Sequence, residues 1–277
     1  MGTQRFSRAL FAHLHNHSEY SLLDGLSSVE AMAARAAELG QSALALTDHG
    51  VMYGAIDFYS ACKRAGIKPI IGMEGYVAPE SRLTRNPSDR SPYHMTVLAK
   101  NEVGYGNLLK LASKAQLEGF YYHPRMDREL LEQHSDGLVI LSGCLSGEVG
   151  SHIVKGQIDK AREAVNWYRG VFGDDYYLEV MWHEKIPEQL TMNRGVFELA
   201  RDTGTPLVAT NDNHYTNPSD HELHDVLLCI QTNSLVTDTK RMKLEDPTYY
   251  LRSEAEMAAL FPEHPEAIAN SGLIAEA

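Results

Sequence analysis

The sequence predicts an α/β fold, a distorted (β/α)7 barrel with a largely parallel sheet. Three observations predict it. Short apolar runs alternate with amphipathic helical stretches about seven times along the 277 residues, which is the pattern of βαβ units. No glycine-rich dinucleotide turn follows any run, which favours a closed barrel over an open doubly wound sheet. In most units His, Asp, Glu or Cys stands just after the apolar run, where barrel folds carry their chemistry.

Taken in order, Ala9-Leu10-Phe11-Ala12 is a first buried strand leading into His13-Leu14-His15-Asn16-His17. Side chains alternate along a strand, so His13, His15 and His17 share a face. Ser27 is the expected N-cap of a helix through Leu39, with Glu30 three residues on and Gly40 as the stop. Ala43 to Thr47 is a second strand ending at Asp48-His49-Gly50, and a helix from about Gly54 to Ala65 follows, stopped by Gly66. The third strand, Lys68 to Met73, delivers Glu74 at its end. Residues Pro79 to Pro92 carry three prolines and many charges and read as a long mobile loop.

His94 to Ala99 is a fourth strand, then a helix from about Tyr105 to Gln116 and a short one near Asp127 to His134. Gly137 to Leu141 is the fifth strand and ends in Ser142-Gly143-Cys144. A helix from about Gln157 to Tyr168 leads to strand six, Tyr176 to Met181, then His183. A helix from about Pro187 to Arg201 leads to strand seven, Pro206 to Thr210, which ends in Asn211-Asp212-Asn213-His214. The tail has a helix from about Ser219 to Ile230, an extended piece at Tyr249 to Leu251, and helical segments to Ala277 that stop without a cap, as in a longer chain cut short. The expected organisation is one domain over 1–277, with about 245–277 as a linking helical extension.

Hydrophobic content of 43% and charged content of 22% are ordinary for a globular chain. No apolar run is long enough to span a bilayer and Met1 to Arg8 has no signal-peptide core, so a cytoplasmic location is expected. Three cysteines build no disulfide framework. The net charge of −12 excludes a broadly basic nucleic-acid surface.

The strand ends collect His15, His17, Asp24, His49, Glu74, His94, Cys144, Asp212 and His214. Imidazole, carboxylate and thiolate are the donors that zinc and similar metals take. One ion needs only about four protein ligands, so this set suits two or three ions with bridging carboxylates or water. Asp48-His49-Gly50 and Asp212-Asn213-His214 also occur in plain turns, and they gain meaning from the opening histidines. His94 stands before its apolar run, where barrel logic places it less well. Cys144 reads equally as a small buried hydrophobe or a ligand thiolate. His13 is a ligand or an orienter of ligands, Asp48 stands beside it as a secondary candidate, and His183 is a candidate for substrate contact. His123, His134, His152, His221, His224 and His264 read as surface residues.

These phrases, with Leu22-Leu23-Asp24-Gly25, Gly66-Ile67-Lys68-Pro69-Ile70-Ile71-Gly72 and Asn213-His214-Tyr215, resemble the polymerase-and-histidinol-phosphatase (PHP) family of metal-dependent phosphoesterases, and more closely its branch within bacterial replicative DNA polymerases. The resemblance implies a PHP-type barrel with a trinuclear centre of zinc, manganese or iron, with magnesium also admitted. His13 stands where the wider family has Asp, and Asp24 and Cys144 where many relatives have His. The implied activity is 3′–5′ proofreading exonuclease action on a primer terminus, by water that bound metal ionises. Implied partners are a single-stranded DNA 3′ end, the remaining polymerase domains of the same chain and replisome subunits. The fragment itself is not expected to polymerise DNA. Two other readings stay open: a metal-stabilised scaffold without hydrolysis, and a small-molecule phosphatase.

Overall fold

The structure, a computed structural model, describes residues 11–22 and 24–277. Ala9 and Leu10 of the expected first strand lie outside the described residues. From Phe11 onward that segment is extended and makes isolated bridges, His13 to Leu44 and Asn16 to Asn213, both parallel.

The elements follow in chain order: α1 (Val29–Glu38), β1 (Ala43–Leu46), α2 (Ala55–Ala65), β2 (Lys68–Val77), β3 (Tyr93–Ala99), α3 (Glu102–Leu117), β4 (Phe120–Tyr121), β5 (His123–Met126) and α4 (Arg128–Gln133). Then come β6 (Leu138–Leu141), α5 (Glu148–Val154), α6 (Ile158–Phe172), β7 (Tyr176–Val180), α7 (Pro187–Thr203), β8 (Leu207–Ala209), α8 (His221–Thr232), α9 (Glu254–Leu260) and α10 (Pro265–Glu276). Among the described residues no helix is long and apolar enough to cross a membrane.

Two compact units result. The first holds the described residues up to Asp48, Tyr53–Ile70 and Ala209–Ala277; the second holds His49–Met52 and Ile71–Val208.

In the first unit α1 buries Val29, Met32, Ala33 and Ala36, one face at helical spacing. Its N-cap is Ser28, not the expected Ser27: the Ser28 side chain accepts from the Ala31 amide. Ser27 instead takes the Thr216 hydroxyl at 2.8 Å. Helix α2 buries Phe58, Ala61 and Cys62 and stops at Gly66, whose φ of 78° is the left-handed conformation that glycine adopts without strain.

The second unit is built on a mixed sheet, ordered β4-β5-β2-β3-β6-β7 and continuing to β8. Strands β2 and β5 are parallel, as are β6 and β7, but β3 runs antiparallel to both β2 and β6. The expected uniform alternation breaks there, because only a short 3-10 helix, Pro87–Arg90, separates β2 from β3. Strand β2 also runs past Glu74 to Val77, so Glu74 lies inside it rather than at its end.

The segment from Pro79 to Pro92, expected to be mobile, is tied down. Buried Arg82 donates to Asp127 and to Glu118, each at 2.9 Å. Arg125, fully buried, donates to the carbonyls of Arg82 at 2.9 Å and Thr84 at 2.7 Å. Burial of two guanidiniums is tolerated because carboxylates take the Arg82 donors and carbonyls take Nε and Nη2 of Arg125.

Candidate metal centre

In the first unit the extended segment brings His15 and His17 to one carboxylate. Nε2 of His15 lies 3.3 Å and Nε2 of His17 lies 3.1 Å from Asp212 Oδ1. Asp212 holds a left-handed φ of 50°, which aspartate tolerates better than most residues. The turn returns His214 to the same place: its Nδ1 lies 2.8 Å from the Asp212 carbonyl and its Nε2 3.3 Å from Asp24 Oδ1. Burial acts to raise the Asp212 pKa, but the His15 and His214 imidazoles and the bond to His17 outweigh it and hold the carboxyl well below the usual range.

Hydrogen-bond direction fixes which ring nitrogens carry a proton. Ser21 donates its one hydroxyl proton to Asp48 Oδ1 at 2.8 Å, so its oxygen accepts from His17 Nδ1 at 3.0 Å. A carbonyl can only accept, so His214 Nδ1 also carries a proton. In the neutral rings each Nε2 then presents a lone pair, at His17 towards Asp212 and at His214 towards Asp24. A lone pair against a carboxylate oxygen at these distances repels, and either a second proton on the ring or a metal cation between the two atoms removes that repulsion. Two donors bound at about 2.1 Å to one tetrahedral ion are themselves separated by about 3.4 Å. The residues fit a metal.

In the second unit Glu74 stands between two imidazoles. Its Oε2 is 2.5 Å from His49 Nδ1 and its Oε1 is 3.0 Å from His94 Nδ1. Opposite oxygens of one carboxylate engaging two histidines is the arrangement of a bridging ligand. His49 is delivered by a parallel bridge to Glu74, with the Gly50 amide donating to the Glu74 carbonyl at 2.8 Å. The antiparallel course of β3 accounts for His94: it opens its strand opposite Tyr76, so the start of β3 lies at the carboxyl end of β2.

Cys144 Sγ lies 3.9 Å from Glu74 Oε1 and 4.0 Å from His94 Nδ1. Its loop depends on Gly143, whose φ is 82° and whose added Cβ would stand 2.5 Å from the His94 carbonyl oxygen. Among the described residues three donor atoms gather within 4.8 Å of one another in the first unit, His15-His17-Asp212, and three in the second, His49-Glu74-His94.

A model of the PHP domain matches residues 13–183. The chain belongs to the PHP family. Among curated proteins this PHP chain is 48% identical over 273 residues to the DNA polymerase III subunit alpha of Treponema pallidum, covering 98% of this chain and 23% of that one. It is 44% identical over 271 residues to the same subunit of Borreliella burgdorferi, covering 97% and 24%. The chain thus spans about a quarter of the length of these relatives. A solved two-domain protein from Bacteroides vulgatus, containing a predicted PHP-like metal-dependent phosphoesterase, aligns with 17% identity and a TM-score of 0.45, covering 77% of this chain and 57% of that one.

Not every expected residue joins the donor groups of this PHP chain. His13 stands outside the donor groups that hold His15 and His17. Its Nε2 donates to the Arg252 carbonyl at 2.9 Å and its Nδ1 accepts from the Asn213 amide at 3.0 Å. Burial pushes its pKa down to about 4. Asp48 commits its carboxylate to the Ser18 amide and the Ser18 and Ser21 hydroxyls. It therefore orients the loop that carries His17. His183 is buried beyond the end of β7 and outside both donor groups.

Several residues that hold the donors were not singled out in the sequence. Asn213 bonds Asn16 Oδ1 at 2.7 Å, and Asn16 in turn donates to the carbonyls of His13 and Ala45. Buried Glu179 accepts from the Gly143 amide at 2.9 Å and steadies the Cys144 loop. His123, read as a surface residue, packs against Tyr76 with ring centroids 4.5 Å apart, and burial followed by His94 and His49 depresses its pKa. The available signal was polar side chains interleaved with the histidines.

Proposed function

We propose that this PHP domain is a metal-dependent phosphoesterase that acts on DNA as a 3′–5′ exonuclease within a larger polymerase chain. The observation that carries the hydrolytic part is the approach of His17 Nε2 to Asp212 at 3.1 Å and of His214 Nε2 to Asp24 at 3.3 Å. Similarity to polymerase subunits supports the DNA part. The whole of 1–277 is proposed as one PHP domain, active in the cytoplasm on a primer 3′ end that the remaining polymerase domains and replisome subunits deliver. The acidic net charge fits delivery by others rather than capture by this chain.

The proposed ligands are His15, His17, Asp24, Asp212 and His214 in the first unit and His49, Glu74, His94 and Cys144 in the second. Nitrogen, oxygen and one sulfur donor suit zinc, manganese or iron, in two or three ions. Such ions supply Lewis acidity towards phosphate oxygens and a lowered pKa for an attacking water. The chain's own part is orientation: Ser21 and Asp48 set His17, the Asp212 carbonyl sets His214, and Glu74 holds His49 and His94 to one carboxylate.

Asp212→Asn tests this, with metal content and release of nucleotides from a 3′-labelled single strand both measured. Both are expected to fall sharply; an unchanged rate overturns the reading. Full burial of His15 and His17 favours a second reading, a metal that only braces the fold. Loss of folding on chelation with no hydrolysis of any strand would select it.

A further inference from the structure

The β4–β5 hairpin turns on a single residue. Tyr121 and His123 are paired across Tyr122, which is held at a φ of 62°. Glycine or asparagine would relax that turn, so a bulky residue is kept there at a backbone cost, its ring edge-on to Tyr121 with centroids 4.8 Å apart. The ring is nonetheless 60% exposed, beside Phe120 at 53%. The exposed Arg90 guanidinium stands over it, 5.0 Å from its centroid. From this tip aromatic rings run inward to the donors. His123, next in the chain, packs on Tyr76 at 4.5 Å, and Tyr76 meets His94 at 5.1 Å and His49 at 6.1 Å.

Exposed aromatic faces with an adjacent arginine are how proteins hold unpaired bases without reading sequence. We propose that Tyr122 is a positioning residue for single-stranded DNA: an unpaired base near the 3′ end stacks on its ring, with Arg90 against the neighbouring phosphate. The backbone then leads along the Tyr76 side of the hairpin towards Glu74 and His94. This rests on the exonuclease reading and names how that site takes hold of its substrate.

The test uses Tyr122→Gly, chosen because glycine suits the turn, with Tyr122→Phe as the conservative variant. The probe is a fluorescein-labelled oligothymidylate carrying 2-aminopurine near its 3′ end, with chelator present. Tyr122→Gly is expected to weaken binding about tenfold and to abolish 2-aminopurine quenching, while Tyr122→Phe keeps both. With metal added, the KM for the oligonucleotide rises at little-changed kcat. Turnover of bis(4-nitrophenyl) phosphate, too short to reach the tip from the donors, stays as in wild type. Absent binding, or equal affinity and quenching in wild type and Tyr122→Gly, overturns the proposal and leaves the phosphoesterase reading standing. If wild type hydrolyses neither substrate, the phosphoesterase reading falls, and the binding comparison still decides the stacking.

Discussion

His17 Nδ1 donates to the Ser21 hydroxyl across 3.0 Å, and that bond decides which face of the imidazole is left to bind a cation. Ser21 can accept it because its own proton goes to Asp48. Removal of this acceptor frees the ring to rotate and to change tautomer. Ser21→Ala should therefore lower metal affinity by about ten- to a hundredfold with every donor retained. Competition against a chromophoric zinc chelator measures it, and wild-type affinity would refute the orienting role.

Asn213 links three buried polar side chains. It donates to His13 Nδ1 and Asn16 Oδ1 and accepts from the Asn211 amide at 2.8 Å. Truncation takes that donor from buried His13 Nδ1 and Asn16 Oδ1, while the Asn211 amide keeps the Thr248 and Tyr250 carbonyls. Asn213→Ala should cost about 2–4 kcal/mol in urea denaturation. A loss below about 0.5 kcal/mol would mean that the network rearranges without it.

Stability should also fall with acid through His13. Its folded pKa of about 4 lies below the ordinary 6.5, so the fold favours the neutral ring. For a histidine depressed in this way, stability is complete above pH 6.5 and is lost as pH falls towards 4, because the unfolded chain binds the proton first. Protonation would place a hydrogen on Nδ1 against the Asn213 amide donor. Glutamine can keep one donor and one acceptor there without titrating. Wild type should lose about 3 kcal/mol more than His13→Gln between pH 7 and pH 4; parallel curves would contradict the assignment.

Cys144 is expected to contribute its thiolate as a ligand. Cobalt loading should then produce a sulfur-to-metal charge-transfer band that Cys144→Ser abolishes. Gly143→Ala should weaken the same band, since a Cβ there meets the His94 carbonyl oxygen at 2.5 Å. A wild-type cobalt spectrum without that band removes Cys144 from the ligand set.

Much of the α/β order was legible because burial dictates it. Runs such as Ala43–Leu46 and Leu138–Leu141 are wholly buried, and their hydrophobicity shows without neighbours. The reversal of β3 was not legible, since an apolar strand reads alike in both directions; the registers of Tyr76 with His94 and of Val97 with Ile140 reveal it. That reversal is why His94 looked misplaced in the sequence. The tethering of the Pro79–Pro92 segment also escaped notice, because its anchors Glu118, Arg125 and Asp127 lie far along the chain.

The site was legible in its donors and opaque in their supports. Histidines announce themselves by chemistry, and His15, His17 and Asp212 meet in one place. His13 looked equivalent by spacing, yet both its ring nitrogens are taken by the Arg252 carbonyl and the Asn213 amide, residues far along the chain. Asn16, Asn213, Ser21 and Glu179 carry no chemical label. Their roles exist only through partners that folding brings close.

The most direct measurement is anomalous diffraction from crystals of this chain soaked in zinc or manganese, with data on both sides of the metal edge. The account predicts peaks about 2.0–2.3 Å from His17 Nε2 and Asp212 Oδ1, and from the His49-Glu74-His94 donors. Crystals that take up metal only at other places would contradict it.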